Sequence, residues 1–196
     1  TAASSIAQSN HGNYDLHLAL HSNAAPEGEA GLRQGSEVYY YPTSAAGKRA
    51  ADIIAENLKE IYPYPWLVKT VPTTRLGEVA KTRAPGVLIE FAYHDNLEDA
   101  EWIKANIAEI AANVAYSLTD YFGIPFVLPQ APRRGTVVVR SGWLNIRQFP
   151  STESQSIARA WNGDPIIVNG QWNNWYVVNF RGTVGYADSR YIRIPR

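Results

Sequence analysis

Cysteine and methionine are both absent from this 196-residue chain. The lack of cysteine excludes disulfide scaffolds, Cys-ligated zinc or iron–sulfur sites, and thiol nucleophiles. No apolar run approaches the roughly 20 residues that a membrane-spanning helix needs, and residues 1–8 lack the basic stretch followed by an apolar one that marks a signal peptide. Hydrophobic residues make up 45% and charged residues 18% of the chain, a composition that excludes disorder for most of it.

The net charge is zero, but the two parts of the chain differ in sign. Residues 1–129 hold 9 basic and 15 acidic side chains, whereas residues 130–196 hold 9 basic side chains, all Arg, and 3 acidic ones. The two parts therefore carry net charges of −6 and +6. Three prolines within eight residues, Pro125, Pro129 and Pro132, favour an extended linker between them. We predict two domains with different partners, 1–125 and 134–196, joined by a linker over 126–133.

Apolar residues at helical spacing predict two helices in the first part. One runs from Ala46 onward, with Thr43 or Ser44 as its N-cap. The other is longer, begins after Asn96 and ends before Gly123.

Strands are predicted between the helices, at 15–21, 35–41 and 87–91. The last is a nearly continuous apolar run, the pattern of a strand covered on both faces. Alternating strands and helices predict an α/β fold, with a layered sheet and flanking helices.

The second part contains short runs of β-forming residues, separated by two-residue turn signals that end in glycine. These signals are Ser141-Gly142, Asn162-Gly163, Asn169-Gly170 and Arg181-Gly182. Four such turns in about 60 residues predict a small all-β barrel.

Glu90 lies inside an apolar strand, where alternation places it on the same face as Leu88. Burying an ionised carboxylate there is costly unless it is paired, bound to a metal, or close to a cleft at the strand end. Two interpretations remain open: a general acid or base with a raised pKa, or a structural Glu paired with Arg or Lys.

His17 and His21 share one face of the strand 15–21. At about 3.3 Å per residue they lie about 13 Å apart, so they cannot bind one metal ion together. The strand-end position favours His21 as the ligand, since α/β sheets bind ligands at the carboxyl ends of strands. A hydrogen-bonded surface imidazole is the alternative, and His11 and His94 are weaker candidates.

Several segments of the first part, taken together, resemble the zinc-dependent N-acetylmuramoyl-L-alanine amidases, which are cell-wall hydrolases. In order along the chain, these segments are Tyr14–Ala25, Gly35–Tyr41, Leu76–Val79 and Val87–Asn96. The resemblance implies that His21 of the His-x-Asn-Ala motif binds zinc and that Glu90 of the Val-Leu-x-Glu motif is catalytic. We assign Asn23 of the first motif to substrate binding. The family's two further zinc ligands, a His and a Glu, would lie upstream of Thr1, so we expect one zinc ion whose remaining ligands are not in this chain.

The second part resembles the bacterial SH3-like domains. The resemblance rests mainly on the Leu-Asn-x-Arg motif at Leu144–Arg147 and the Gly-Tyr-x-x-x-x-Tyr-Ile motif at Gly185–Ile192. It implies attachment of a wall hydrolase to peptidoglycan, and the net charge of +6 suits an anionic wall polymer as a further partner. We assign Trp172 and Tyr186 to substrate binding, because exposed aromatic faces suit sugar rings and peptide stems. The alternative is that tryptophans such as Trp161 and Trp175 form the core of the barrel.

These resemblances imply a peptidoglycan hydrolase that cleaves the amide between N-acetylmuramic acid and L-alanine. Zinc would polarise the carbonyl group and activate water, and Glu90 would act as general base or electrostatic stabiliser. We expect an extracellular or wall-associated location, peptidoglycan as partner, and neither nucleic acid nor a membrane span. The alternative is a non-catalytic wall-binding protein with a relic amidase-like half, because two zinc ligands are missing.

Overall fold

The computed structural model of the protein describes residues 1–128 and 130–195. It divides the chain into two units, Thr1–Phe122 and Gly123–Arg196. Across the described ranges, no helix combines the length and apolar character that crossing a membrane requires.

The first unit is a four-stranded mixed sheet with helices on both faces. Its elements are α1 (Ala2–His11), β1 (His17–Asn23), β2 (Ser36–Tyr40), α2 (Ala45–Lys59), β3 (Val68–Pro72), α3 (Gly77–Ala80), β4 (Gly86–Tyr93), α4 (Leu97–Ala105) and α5 (Ile107–Phe122). The strand order is β1-β4-β2-β3, with β1 parallel to β4, β2 parallel to β3, and β2 antiparallel to β4. The predicted α/β class with a layered sheet is confirmed.

The larger core of this unit lies between the sheet and the helices α2 and α5. Ser44 begins α2, because its hydroxyl accepts the backbone N–H of Gly47 at 3.0 Å. The apolar stripe of α2, including Ile54 and Leu58, is buried against Val87 and Ile89 of β4. The opposite face of β4 carries Leu88, which belongs to a smaller cluster on the side of α3.

The long helix predicted after Asn96 is two helices, α4 and α5. Asn96 caps α4 as predicted, since its side chain accepts the backbone N–H of Asp99. Asn106 separates the helices: its φ of −119° and ψ of 20° are not helical. Its side-chain amide donates to the carbonyl of Trp102 at 2.8 Å. The prediction of one helix was wrong, because the side-chain bond of Asn106 competes with the backbone hydrogen bonds of a continuous helix. The spacing of apolar residues continues past Asn106 and so does not show the break.

The second unit is a seven-stranded antiparallel sheet. Its strands are β5 (Arg133–Val137), β6 (Trp143–Arg147), β7 (Ser156–Trp161), β8 (Pro165–Trp172), β9 (Trp175–Phe180), β10 (Thr183–Asp188) and β11 (Ile192–Arg193). The strand order is β11-β5-β8-β9-β10-β6-β7. A 3-10 turn over Ser189–Tyr191 joins the last two strands.

The predicted turn at Asn169-Gly170 is not a turn, because both residues lie inside β8. A Cβ atom on Gly170 would come within 2.7 Å of the Val127 side chain, so the glycine lets Val127 pack closely against β8. The pairing of β8 with β9 shifts register at the same point. The chain reverses instead at Asn173 and Asn174, and Asn173 has a φ of +49°.

The core of the second unit is mainly aliphatic, with Phe180 as its buried aromatic side chain. Its fully buried side chains include Val137, Ile146, Val168 and Val178. Trp161 is 56% exposed, so its alternative assignment to the core was wrong.

Candidate active site

Each strand of the first unit contributes one polar side chain to a single row across the sheet. His21 on β1 pairs with Glu90 on β4, Glu90 pairs with Glu37 on β2, and Glu37 pairs with Lys69 on β3. Residues paired across strands project from the same face of a sheet. Each of these four side chains therefore lies beside the one on the adjacent strand. We call His21, Glu90, Glu37 and Lys69 the polar row. Because β1 and β4 are parallel, His21 and Glu90 also lie near the same edge of the sheet, at the carboxyl ends of their strands.

Glu90 has the environment of a proton-transferring carboxylate. It is partly buried, and its Oε2 atom is buried without a hydrogen-bond partner among residues 1–128 and 130–195. Burial raises the pKa of the Glu90 carboxyl above its ordinary value; His21 and His94 oppose this shift, and the charge of Glu37 adds to it. A carboxyl group with a raised pKa suits general acid or base catalysis near neutral pH.

Glu37 links the row to two further side chains. Its Oε1 accepts Lys69 Nζ at 2.8 Å, and its Oε2 accepts the Tyr39 hydroxyl and, at 3.4 Å, Asn23 Nδ2. Burial and the Glu37 bond raise the pKa of the Tyr39 hydroxyl well above its ordinary value, so Tyr39 remains a donor. The structure thus places Asn23, which the sequence assigned to substrate binding, beside the polar row.

A second carboxylate, Glu78 of α3, contacts two histidines. Its Oε2 lies 3.0 Å from His21 Nε2, and its Oε1 lies 3.8 Å from His17 Nε2. The Ser5 hydroxyl donates to Glu78, and this bond, helped by the two imidazoles, lowers the pKa of the Glu78 carboxyl despite its burial. The rings of His17 and His21 thus both approach the Glu78 carboxylate of α3. That the two histidines do not bind one metal ion together stays a prediction.

The other two histidines stand apart from this contact. His94 Nδ1 lies 3.0 Å from the Ser22 hydroxyl and 3.2 Å from the Ser22 carbonyl oxygen. His11 is the last residue of α1 and is exposed.

The donor set of the first unit does not complete a zinc site. Within the described residues, no group of three or more His, Asp or Glu side chains could hold a metal ion. Catalytic zinc normally takes three protein ligands and a water molecule. His21 can therefore supply one ligand, but the described side chains do not fit a resident zinc ion by themselves.

A bulge and a buried carboxylate fix the end of β4 beyond Glu90. The pairing of β1 with β4 shifts between His21 and Asn23, and Ala92, which is fully buried, has a φ of +58°. Asp99 of α4 accepts the backbone N–H of Tyr93 at 2.9 Å, the N–H of Gly35 at 3.1 Å and the Tyr62 hydroxyl at 2.6 Å. These bonds tie the carboxyl end of β4 to the residue that precedes β2.

The two aromatic residues predicted to bind substrate in the second unit differ in exposure. Trp172 ends β8 and is 38% exposed, whereas Tyr186 of β10 is only 8% exposed. Burial raises the pKa of the Tyr186 hydroxyl. Trp172 is therefore more accessible to a ligand than Tyr186, and both assignments stay predictions.

Comparison with known protein families gives one match within each unit. The family model described as N-acetylmuramoyl-L-alanine amidase matches residues 1–120, and that described as bacterial SH3 domain matches residues 142–193. The chain belongs to the N-acetylmuramoyl-L-alanine amidase family.

Solved structures similar to the chain carry related descriptions. The catalytic domain of an endolysin targeting Clostridia difficile is 29% identical, with a TM-score of 0.52 over 61% of this chain and 62% of that one. The CwlD amidase of Clostridioides difficile, solved with the GerS lipoprotein, is 17% identical, with a TM-score of 0.56 over 62% of this chain and 61% of that one. The catalytic domain of the amidase CwlV from Bacillus (Paenibacillus) polymyxa is 18% identical, with a TM-score of 0.53 over 64% of this chain and 67% of that one.

The chain spans about three fifths of the length of the first two of these structures. A search of curated proteins found no match.

Proposed function

We propose that this chain carries part of the active site of a peptidoglycan hydrolase that cleaves the amide between N-acetylmuramic acid and L-alanine. The observation that carries the proposal is the Glu90 carboxyl: it is partly buried, has one oxygen without a hydrogen-bond partner among the described residues, and adjoins His21 in the polar row. Membership of the amidase family supports the choice of bond.

In this proposal Glu90 is the general base. It accepts a proton from the attacking water molecule and returns it to the leaving nitrogen of L-alanine, so that a lactyl carboxylate and a free amine result. The raised pKa of Glu90 favours both transfers, because the group can hold the proton between them. Asn23, oriented by Glu37, would donate a hydrogen bond to the substrate.

We propose His21 as one ligand of a single zinc ion. Residues other than these 196 would supply the remaining ligands. Two observations support this arrangement. The chain spans about three fifths of the length of the endolysin domain and of the CwlD amidase, and its own described side chains lack a three-ligand group.

The second unit is proposed to hold the protein on peptidoglycan, with an anionic wall polymer as a further partner. Its match to the bacterial SH3 domain, its net charge of +6 and its exposed tryptophans support this role. The protein would then act outside the cell or in association with the wall.

A second candidate function is wall binding without catalysis, by a protein whose amidase-like half is a relic. The absence of a three-ligand group in the described part of the chain favours it. Digestion of purified peptidoglycan by the complete gene product with zinc separates the two candidates. An amidase releases peptides with new N-terminal alanine and creates no new reducing sugar ends. Binding to peptidoglycan with no new alanine N-termini would select the relic.

A further inference from the structure

In the first unit a series of aromatic rings runs from the core to an exposed tryptophan. The rings of Trp102 and Tyr62, both buried, meet edge to face with 4.9 Å between their centres. Tyr64 packs edge-on against Tyr62 at 6.0 Å and against Trp66 at 5.6 Å. We call these four residues the aromatic ladder. Its last member, Trp66, is 76% exposed, so the ladder supports an indole that solvent can reach.

The backbone around Trp66 is fixed as well. Pro63 and Pro65 alternate with the aromatic residues, and Pro65 begins a 3-10 turn, Pro65–Leu67, that leads directly into β3. The backbone N–H of Leu67 donates to the Tyr64 carbonyl at 2.8 Å and closes the turn. Proline holds its own φ near −65°, so this segment has few alternative conformations. An indole held in this way loses little conformational entropy when it binds a ligand.

The aromatic ladder reaches the surface at the edge of the sheet where the polar row lies. Asp99 accepts both the Tyr62 hydroxyl at 2.6 Å and the backbone N–H of the last residue of β4 at 2.9 Å. One carboxylate thus joins the ladder to the end of β4, three residues beyond Glu90. Trp66 comes three residues before Lys69, the member of the polar row on β3. Since Glu90 and Lys69 are two strand spacings apart, the backbone of Trp66 lies about 10 Å or more from that of Glu90.

Hydrogen-bonding groups lie beside the exposed end of the ladder. The Tyr64 hydroxyl donates to Glu98 Oε2 at 2.9 Å, and Gln34 Nε2 donates to the same oxygen at 3.1 Å. Glu98 is exposed, and its Oε1 accepts no hydrogen bond within the described residues. An aromatic face near a free carboxylate oxygen matches a sugar ring, because such a ring has an apolar C–H face and a rim of hydroxyl and amide donors.

We infer that Trp66 binds an N-acetylamino sugar of a glycan strand, with the C–H face of the sugar on the indole and a hydroxyl or amide donor on Glu98. The inference rests on the proposed function and deepens it. In that function the reacting amide hangs from one sugar of the strand, so an indole about 10 Å or more from Glu90 would hold a neighbouring sugar. The net charge of −6 on residues 1–129 suits an uncharged sugar better than an anionic ligand.

The test uses the whole chain and a soluble tetramer of N-acetylglucosamine. The free stem peptide L-Ala-γ-D-Glu-L-Lys-D-Ala, which has no sugar, is the ligand control. Binding is followed by NMR at the indole N–H of Trp66, assigned by its loss in Trp66→Phe, and at the backbone N–H of Leu67. We expect saturable shifts of both signals with the tetramer and none with the peptide.

Three variants of Trp66 measure what the flat ring contributes. We expect Trp66→Ala and Trp66→Leu to bind the tetramer about tenfold more weakly, and Trp66→Phe to stay within about threefold of wild type, because only Phe keeps an aromatic face. The affinities are read at the Leu67 signal, and the exposed position of Trp66 should let all three variants fold normally. Trp161→Ala removes an exposed indole from the second unit and should change this affinity less than about twofold.

Three results would overturn the inference: no saturable shift at Trp66, equal shifts with the stem peptide, or binding by Trp66→Leu as tight as by wild type. The last result would indicate a general apolar surface, such as one that docks a protein. Release of new N-terminal alanines from peptidoglycan by the complete gene product with zinc separates the two levels of the argument. Release without binding of the tetramer at Trp66 means that this inference fails and the proposed function stands. If no alanine is released, the proposed amidase activity fails whatever Trp66 binds.

Discussion

Glu90 on β4 lies directly opposite Glu37 on β2, so the sheet places two carboxylates side by side on one face. The arrangement is tolerated because Lys69 on the next strand pairs with Glu37 at 2.8 Å. Glu37 thereby keeps a compensating cation, whereas Glu90 has an unpartnered oxygen in the described structure and a raised pKa. In the proposed function Glu37 is accordingly the structural carboxylate of the row, and Glu90 is the one that exchanges a proton.

Among the carboxylates of the first unit, Asp99 should contribute most to the free energy of unfolding. Asp99→Ala leaves two buried backbone N–H groups and the Tyr62 hydroxyl without their acceptor, so we expect a loss of about 3 kcal/mol or more in the free energy of unfolding. Urea denaturation followed by far-UV circular dichroism measures it. Asp120→Ala, at an exposed position of α5, should change that energy by less than about 0.5 kcal/mol, and an equal effect of the two variants would contradict the assignment.

The Asp188–Arg190 pair should add a small, pH-dependent stabilisation to the second unit. Hydrogen bonding to Arg190 lowers the pKa of the Asp188 carboxyl in the folded state. Its contribution is therefore complete above the unfolded pKa of about 4 and is lost as the pH falls through the lower folded value. Since Arg190 is largely exposed, we expect about 0.5 kcal/mol at most.

The measurement is the difference in unfolding free energy between wild type and Asp188→Asn, taken from pH 7 down to pH 2. We expect that difference to shrink towards zero below about pH 3. Glu153→Gln, in an exposed turn, serves as the control and should show no such trend. A difference for Asp188→Asn that grows as the pH falls would have the wrong sign.

The 196-residue chain should retain far less than one zinc ion after dialysis, because its described side chains offer no three-ligand group. Elemental analysis of wild type and of His21→Ala provides the measurement, and we expect both to be nearly free of metal. One zinc ion per wild-type chain that disappears in His21→Ala would show that this chain completes the site.

Sedimentation of the chain with insoluble peptidoglycan should decrease as salt increases, since the Debye length falls from about 10 Å at 0.1 M to about 3 Å at 1 M. Removing two exposed cations of the second unit, in Arg134→Gln with Arg193→Gln, should weaken binding at low salt. The matched pair Lys81→Gln with Lys104→Gln removes the same charge from the first unit and should have little effect. Equal losses in the two double variants would assign the electrostatic attraction to the whole chain instead.

The sequence pattern predicts functional roles for Glu90 and His21 because both signals are local. A carboxylate inside an apolar strand and a histidine at a strand end are visible without knowing which strands are neighbours. The sequence also contains the alternation that places each of them on a face of the sheet.

Glu37, Lys69 and Glu78 are missed because their importance depends on contacts between distant segments. Glu37 becomes a neighbour of Glu90 only through the β2–β4 register, and Lys69 lies on β3, for which the sequence analysis predicts no strand. Glu78 lies on a helix of four residues, too short to show helical periodicity. The one available signal is that Glu78 falls inside the Leu76–Val79 segment on which the family resemblance partly rests.

The central claim is that Glu90 transfers the proton in amide hydrolysis, and the most direct measurement counts new N-terminal alanines released from purified peptidoglycan. The complete gene product with zinc is compared with its Glu90→Gln and Glu101→Gln variants; the second makes the same chemical change at an exposed position of α4. We expect Glu90→Gln to slow release by about 10²–10⁴-fold and Glu101→Gln to leave it unchanged. Release by Glu90→Gln at the wild-type rate, with zinc still bound, would contradict the claim.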